Sequence, residues 1–311
     1  MIAPAYKAQV DLLLTIVPLV AKEKIFALKG GTAINLFVLE MPRLSIDIDL
    51  TYTSVSDNRE TALTNISAAL DRIEADIKKT VKGISVTRVP EGQGEDVKLN
   101  CQVPGAHVKI EVNTITRGVI MPVRMMQVTE AVQKEFEKFA AMNVVAHGEL
   151  YGAKICAALD RQHPRDIFDV RPLLEGNNFT AELKLGWIIF MLSHFRPISE
   201  LLNPNFSNQK QAFDTQFKGM AIKEFTYEMF EETRTKLVAM LRASLTENDK
   251  KFLLSFKNAE PDWMLFPLKE VKDLPAVKWK LQNIRNLKQN NAEKHAAKLN
   301  ALADVLTANK G

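Results

Sequence analysis

The sequence predicts an α+β protein, with an N-terminal part that mixes strands and helices and a C-terminal part that is helical. Two patterns predict it. Within the first 113 residues, several short segments alternate apolar and polar side chains with the period of a strand. From about Thr129 onward, apolar residues recur at helical spacing instead. The boundary is therefore expected between domains 1–128 and 129–311, and 311 residues are enough for two domains.

The elements follow in order. Residues 5–22 have the spacing of an amphipathic helix. The run DLLLTIVPLV (11–20) lacks a cleavage-site pattern after it, where only Ala21-Lys22-Glu23-Lys24 follows. Ile25–Leu28 is a short apolar strand that runs into Gly30-Gly31. Thr32–Glu40 is expected to be a helix that ends before Pro42, because the residue preceding a proline is pushed out of the α region. Ser45–Tyr52 alternates and reads as a strand. Asp57 with Glu60 resembles a capping box, and Leu63, Ile66, Leu70, Ile73 and Ile77 continue from it as a helix over 58–80. Three strands are expected next, at 84–89, 96–103 and 106–113, the last two joined by a Pro104-Gly105 turn. Beyond Thr129 the pattern is helical, with a loop at 204–211 and an amphipathic helical segment over 281–309 carrying Leu281, Ile284, Leu299, Leu302 and Leu306. Trp263 and Trp279 are expected to pack.

Composition excludes several classes. No window reaches the ~18 apolar residues of a spanning helix, and the two cysteines, Cys101 and Cys156, form no ligand or redox motif. Together these point to a reducing compartment and a cytoplasmic protein. The five histidines show no metal-ligand spacing. A net charge of +4 makes no global argument for nucleic acid, but from Lys269 to Gly311 nine Lys/Arg stand against four Asp/Glu. That local excess suggests an RNA surface including Lys280, Arg285 and Lys288, or else the wet side of a packed helix.

The chemistry concentrates in LKGGTAINLFVLEMPRLSIDIDL (28–50). On a strand, residues two apart share a face, so Asp47 and Asp49 lie together while Ile46, Ile48 and Leu50 pack behind them. Paired oxygen ligands suit Mg²⁺, which takes few carboxylates and keeps waters and substrate phosphates. The plainer alternative is a half-buried strand with a solvated outer face. Gly30-Gly31 before a helix lets backbone approach a ligand and offers free N–H groups to phosphate, although two adjacent glycines are commonly just a turn. In HVKIEVN (107–113), Glu111 shares a strand face with His107, Lys109 and Asn113. Antiparallel pairing is expected to bring Glu111 beside the two aspartates. Three carboxylates and a phosphate cradle together are the equipment of two-metal phosphoryl or nucleotidyl transfer.

At this point the chain resembles the nucleotidyltransferase superfamily of polymerase-β type, and more closely the AbiEii/AbiGii toxins of abortive-infection phage defence and toxin–antitoxin systems. The resemblance rests on KGGTA (29–33), RLSIDIDL (43–50), KIEV (109–112), ELYGAK (149–154), RQHPRDIFD (161–169), PDW (261–263) and LPAVKWKLQNI (274–284), in order along most of the chain. It implies a nucleotidyltransferase core and a helical C-terminal domain. By this resemblance Gly30, Gly31, Thr32, Arg43, Ser45 and Lys154 would bind the nucleotide. Asp47, Asp49 and Glu111 would bind Mg²⁺, with two ions expected. Glu111 stands where such proteins often carry Asp. Asp166 would be a further acid needed for activity, acting as a base. The residues themselves leave a plainer option for this second group: Lys154 and Arg161 share a helix face that Glu149 and Asp160 could salt, and Asp166 could simply cap a helix.

The activity implied is transfer of an NMP from an NTP to an RNA acceptor, the tRNA 3′ end, by a toxin whose partner is a separately encoded antitoxin. Alternatives that reuse the same core are nucleotidyl transfer to a protein or a small molecule. An inactive nucleotide- or RNA-binding module would instead lack one of the carboxylates, and all three are present.

Overall fold

Val108, Ile110 and Val112 turn one way and are buried, while His107, Lys109, Glu111 and Asn113 turn the other, and Ala106–Asn113 forms a strand at its expected bounds. The computed structural model describes residues 4–91, 95–176 and 178–308. It divides the chain into two units, one of residues 1–146 with 218–224 and one of 147–217 with 225–311.

The first unit runs α1 (Pro4–Val20), β1 (Phe26–Lys29), the single turn α2 (Gly30–Thr32), β2 (Asp47–Tyr52), α3 (Arg59–Thr80), β3 (Ser85–Glu91), β4 (Glu95–Val103), β5 (Ala106–Asn113), β6 (Arg124–Gln127), α4 (Glu130–Phe136) and β7 (Ala141–Val144). The seven strands form one mixed sheet in the order β3-β4-β5-β2-β1-β7-β6. The β1–β2 pair is antiparallel. The β2–β5 pair is parallel rather than antiparallel as expected, and it sets Asp49 opposite Glu111. Ile48, Leu50, Leu99, Ile110 and Val112 are at most 1% exposed and make the core face of the sheet, where α1 and α3 pack.

Several expectations change. The helix after the Gly pair is one α-turn that widens into a π-helix over Ala33–Val38. There the buried Asn35 side chain donates to the Gly31 carbonyl at 2.9 Å, and π-turns are frequent at functional sites. The N-cap of α3 is Asn58, which accepts from Thr61 N at 2.9 Å. Asp57 instead accepts the Tyr52 hydroxyl proton. Strands β6 and β7 were not expected, since RMMQ and AMNV are too short to establish a period. Because β7 pairs with both β1 and β6, the boundary expected after residue 128 falls after 146 in this division.

The second unit is helical: α5 (His147–Asp160), α6 (Pro164–Val170), α7 (Ala181–Ser193), α8 (Ile198–Leu202), α9 (Lys210–Gln216), α10 (Tyr227–Ser244), α11 (Glu247–Lys257), α12 (Pro275–Asn290) and α13 (Ala292–Thr307). The segment expected over 281–309 is thus two helices, broken at Asn291, whose side chain caps α13 at Lys294 N (2.9 Å). Helices α5 and α7 meet backbone to backbone: a Cβ on Gly186 would strike the Gly148 carbonyl, and one on Gly152 would strike Gly186. No described helix is long and apolar enough to cross a membrane.

Candidate active site

Register builds the site. Lys29 of β1 pairs with Asp49 of β2, Asp49 with Glu111 of β5, and Glu111 with Lys98 of β4. These four side chains form one row on the outer face of the sheet. The next row holds Asp47, Lys109 and Asn100. Asp47, Asp49 and Glu111 therefore share a half-buried face, as their alternation predicts. Three lysines interleave with them, and the sequence reading gave these no role. The signals were present: Lys29 directly precedes the Gly pair, and Lys109 lies two residues before Glu111.

Charge is closely matched here. The Glu111 carboxylate meets Lys109 Nζ at 2.8 Å and Lys98 Nζ at 3.5 Å. Burial works to raise the Glu111 carboxyl, but the two lysines outweigh it and hold it below the ordinary glutamate range. The Lys109 ammonium is held above its usual range by its hydrogen bond to Glu111, with further pull from Asp47 and Asp49. Lys29 moves the other way: burial lowers it against the attraction of Asp49 and Glu111.

The Gly pair is dictated by close approach. Gly30 sits at φ +74°, in the left-handed region, and any Cβ there would run into the Asp49 carboxylate. A Cβ on Gly31 would lie 2.7 Å from Arg43 Nη2 and 2.9 Å from Ser45 Oγ. Arg43 is 3% exposed and donates to Leu44 O at 2.8 Å. Its strand-like segment is pinned by residues 218–224, which return to this unit: Leu44 N donates to Met220 O (3.1 Å) and Ile222 N to Pro42 O (2.8 Å). Thr32 is fully buried, and its hydroxyl lies on the Asp47 carbonyl and on Ser45 Oγ. Its side chain ties the glycine turn to the aspartate strand.

Asp47 and Asp49 fit a divalent cation: two carboxylates on one open face are the protein share of ligands that Mg²⁺ takes beside phosphates. Glu111 is adjacent in register, yet its oxygens are on Lys98 and Lys109. Among the described residues, no three His, Cys, Asp or Glu side chains converge as a metal-ligand set. In register Glu111 stays directly opposite Asp49, with Lys98 and Lys109 on its oxygens.

Lys154 and Asp166 lie in the second unit. Lys154 is 8% exposed, so the solvated helix face is not its setting. Its ammonium bridges Asp166 (3.0 Å) and Asp169 (3.0 Å), and Arg161 closes on Asp166 with Nε at 2.6 Å. Both aspartates are 1% exposed. Burial would raise the Asp166 carboxyl, but Lys154 and Arg161 hold it far below the usual aspartate range. A carboxylate so stabilised is a poor proton acceptor near neutral pH. Its visible work is to hold Lys154. Asp169, one helical turn from Asp166, completes the bridge.

The basic C-terminal region also reads differently. Lys280 turns inward and donates to Met191 O (2.7 Å) and Arg196 O (2.9 Å), and burial pushes it down to about 7. Lys288 reaches Asn258 O (3.0 Å) and Glu260 (2.8 Å). Of the three cations grouped as an RNA surface, only Arg285 is exposed. Trp263 packs on Phe252 and Phe256 as expected, whereas Trp279 is 67% exposed.

Over residues 11–283 the chain matches the family model described as nucleotidyl transferase AbiEii toxin, type IV toxin–antitoxin system. Its fold is similar to that of MenT4, a nucleotidyltransferase toxin from Mycobacterium tuberculosis H37Rv, with a TM-score of 0.60 at 15% identity, over 90% of this chain and 92% of that one. An identity that low speaks for the fold alone. No curated protein matches the sequence.

Proposed function

The chain belongs to the AbiEii nucleotidyltransferase toxin family of type IV toxin–antitoxin systems, and from that premise we propose that it transfers an NMP from an NTP to the 3′ end of an RNA, with tRNA as the acceptor and pyrophosphate as the leaving group. The observation that carries this reading is the Asp47–Asp49 pair, presented on one face with the Gly30 backbone lodged against Asp49. Asp47 and Asp49 would hold Mg²⁺, two ions being the expectation. When bound, Mg²⁺ supplies neutralisation of phosphate charge and orientation of the reacting oxygens. The Gly30–Thr32 backbone receives the phosphates, helped by the fixed charge of Arg43. Lys29 and Lys109 place positive charge beside the neighbouring carboxylates, whose like charges repel one another. Within the second unit, Lys154 is held by Asp166 and Asp169. The family implies an antitoxin as protein partner.

The test is to incubate the purified chain with total tRNA, Mg²⁺ and each labelled NTP in turn. Single-nucleotide extension of RNA with one NTP, absent in Asp49→Ala, is the expected result. Label appearing only on protein or a small molecule would overturn the RNA reading.

A further inference from the structure

The α12 helix, PAVKWKLQNIRNLKQN, has four cations, five Asn or Gln and no acid among its 16 residues. Folding sorts them. Val277, Leu281 and Ile284 face inward with Lys280, while the half-buried Lys288 reaches the Asn258 carbonyl. Trp279, Gln282, Asn283 and Asn286, at i, i+3, i+4 and i+7, form one exposed stripe, with Arg285 exposed beside it. Lys278 is 61% exposed and pairs with Asp273 at 3.2 Å. The grip of Lys280 on Met191 O and Arg196 O holds the turn after α7 against α12. In that turn Phe195 is 82% exposed, its ring stacked on His194 at 4.6 Å.

We propose that this stripe of α12, headed by Trp279, is a platform for a single-stranded RNA end. The inference rests on the reading of RNA as acceptor and adds where that RNA is gripped. Exposed aromatic rings offer stacking to any base. Amide side chains pair with base edges and sugar hydroxyls. The lack of acids on the helix, with Arg285 and Lys278 flanking the stripe, suits a phosphate backbone. A helical protein partner would instead ask for apolar anchors at i, i+3, i+4 and i+7, and after Trp279 those positions are all amides.

The full-length chain is titrated, without NTP, with a labelled single-stranded RNA dodecamer and with tRNA. Trp279→Ala should weaken binding about 5- to 150-fold, the range for losing one stacked base. Trp279→Phe should recover most of it. Lys278→Ala with Arg285→Ala should flatten the salt dependence by about 1.4 log units per log unit of salt. NTP binding and thermal stability should stay at the wild-type level, since these side chains are exposed. Equal RNA affinity in wild type and Trp279→Ala overturns the platform, as does a wild-type chain that binds neither RNA. Retained RNA binding with lost binding of the cognate antitoxin overturns it in favour of a protein-docking face. A platform lost in Trp279→Ala, in a protein that extends no RNA with any NTP, sustains the platform while the acceptor reading falls.

Discussion

Gly30 shows how narrowly the site is specified at the scale of one residue. It is held at φ +74° against the Asp49 carboxylate, so Gly30→Ala adds two faults at once. Left-handed strain costs about 1–2 kcal/mol for an alanine. The Cβ also displaces Asp49, and a misplacement near 1 Å can lower a rate about 10²-fold. Nucleotidyl transfer should therefore fall far more than stability does, a contrast that a transfer assay beside thermal denaturation would measure. Equal transfer rates in variant and wild type would mean that Asp49 tolerates the shift. Asp47 and Asp49 were legible as a pair because alternation on a strand is a local property, whereas Glu111 joins them only through the pairing of β2 with β5. The interleaved Lys29 and Lys98 were not, because they are adjacent to the acids only through register across β1, β2, β5 and β4, whereas Lys109 shares the β5 face with Glu111 two residues on.

At the scale of elements, α5 and α7 depend on glycine for a different reason, which is space. Gly148, Gly152 and Gly186 bring the two backbones into direct contact. Gly186→Ala must separate the helices, and overpacking of this kind costs about 1–3 kcal/mol or more. Its midpoint in denaturant should shift down with unchanged slope; an unshifted midpoint would show that the pair has slack. Strand β5 could be read to the residue, whereas β6 and β7 could not, since four residues hold no decisive period. The cations of α12 show the limit of counting charge. Composition predicted a basic region there, but which lysines face water depends on the carbonyls of Met191, Arg196 and Asn258.

For the whole molecule, the buried Lys154–Asp166–Asp169 cluster, closed from the solvent side by the exposed Arg161, couples stability to pH. The folded Asp166 carboxyl titrates far below its ordinary value, so folding favours its ionised form. The stabilisation is complete above the ordinary aspartate value of about 4 and is lost as pH falls from there toward the folded value. Asp166→Asn should cost about 3–5 kcal/mol near neutrality, as for a buried pair with one partner removed. It should also lack the part of the acid-induced loss that the wild type shows below about pH 4. Urea unfolding at pH 7 and pH 3 tests both statements. Parallel curves for the two proteins would show that the cluster contributes no linked protonation.

By itself the sequence determined the α+β class, the long helices, the strand faces and the Asp47–Asp49 pair, because each follows from side chains two to four residues apart. The motifs from KGGTA to LPAVKWKLQNI also carried the family. Only the tertiary structure decided that β2 and β5 run parallel, that Glu111 is held by two lysines, and that Lys154 is bridged by Asp166 and Asp169. It likewise decided that residues 218–224 return to brace Arg43, and that Trp279 faces outward while Lys280 faces in. These outcomes turn on groups far apart in the chain, whose pairing is settled by packing and by the need of each buried charge for a partner.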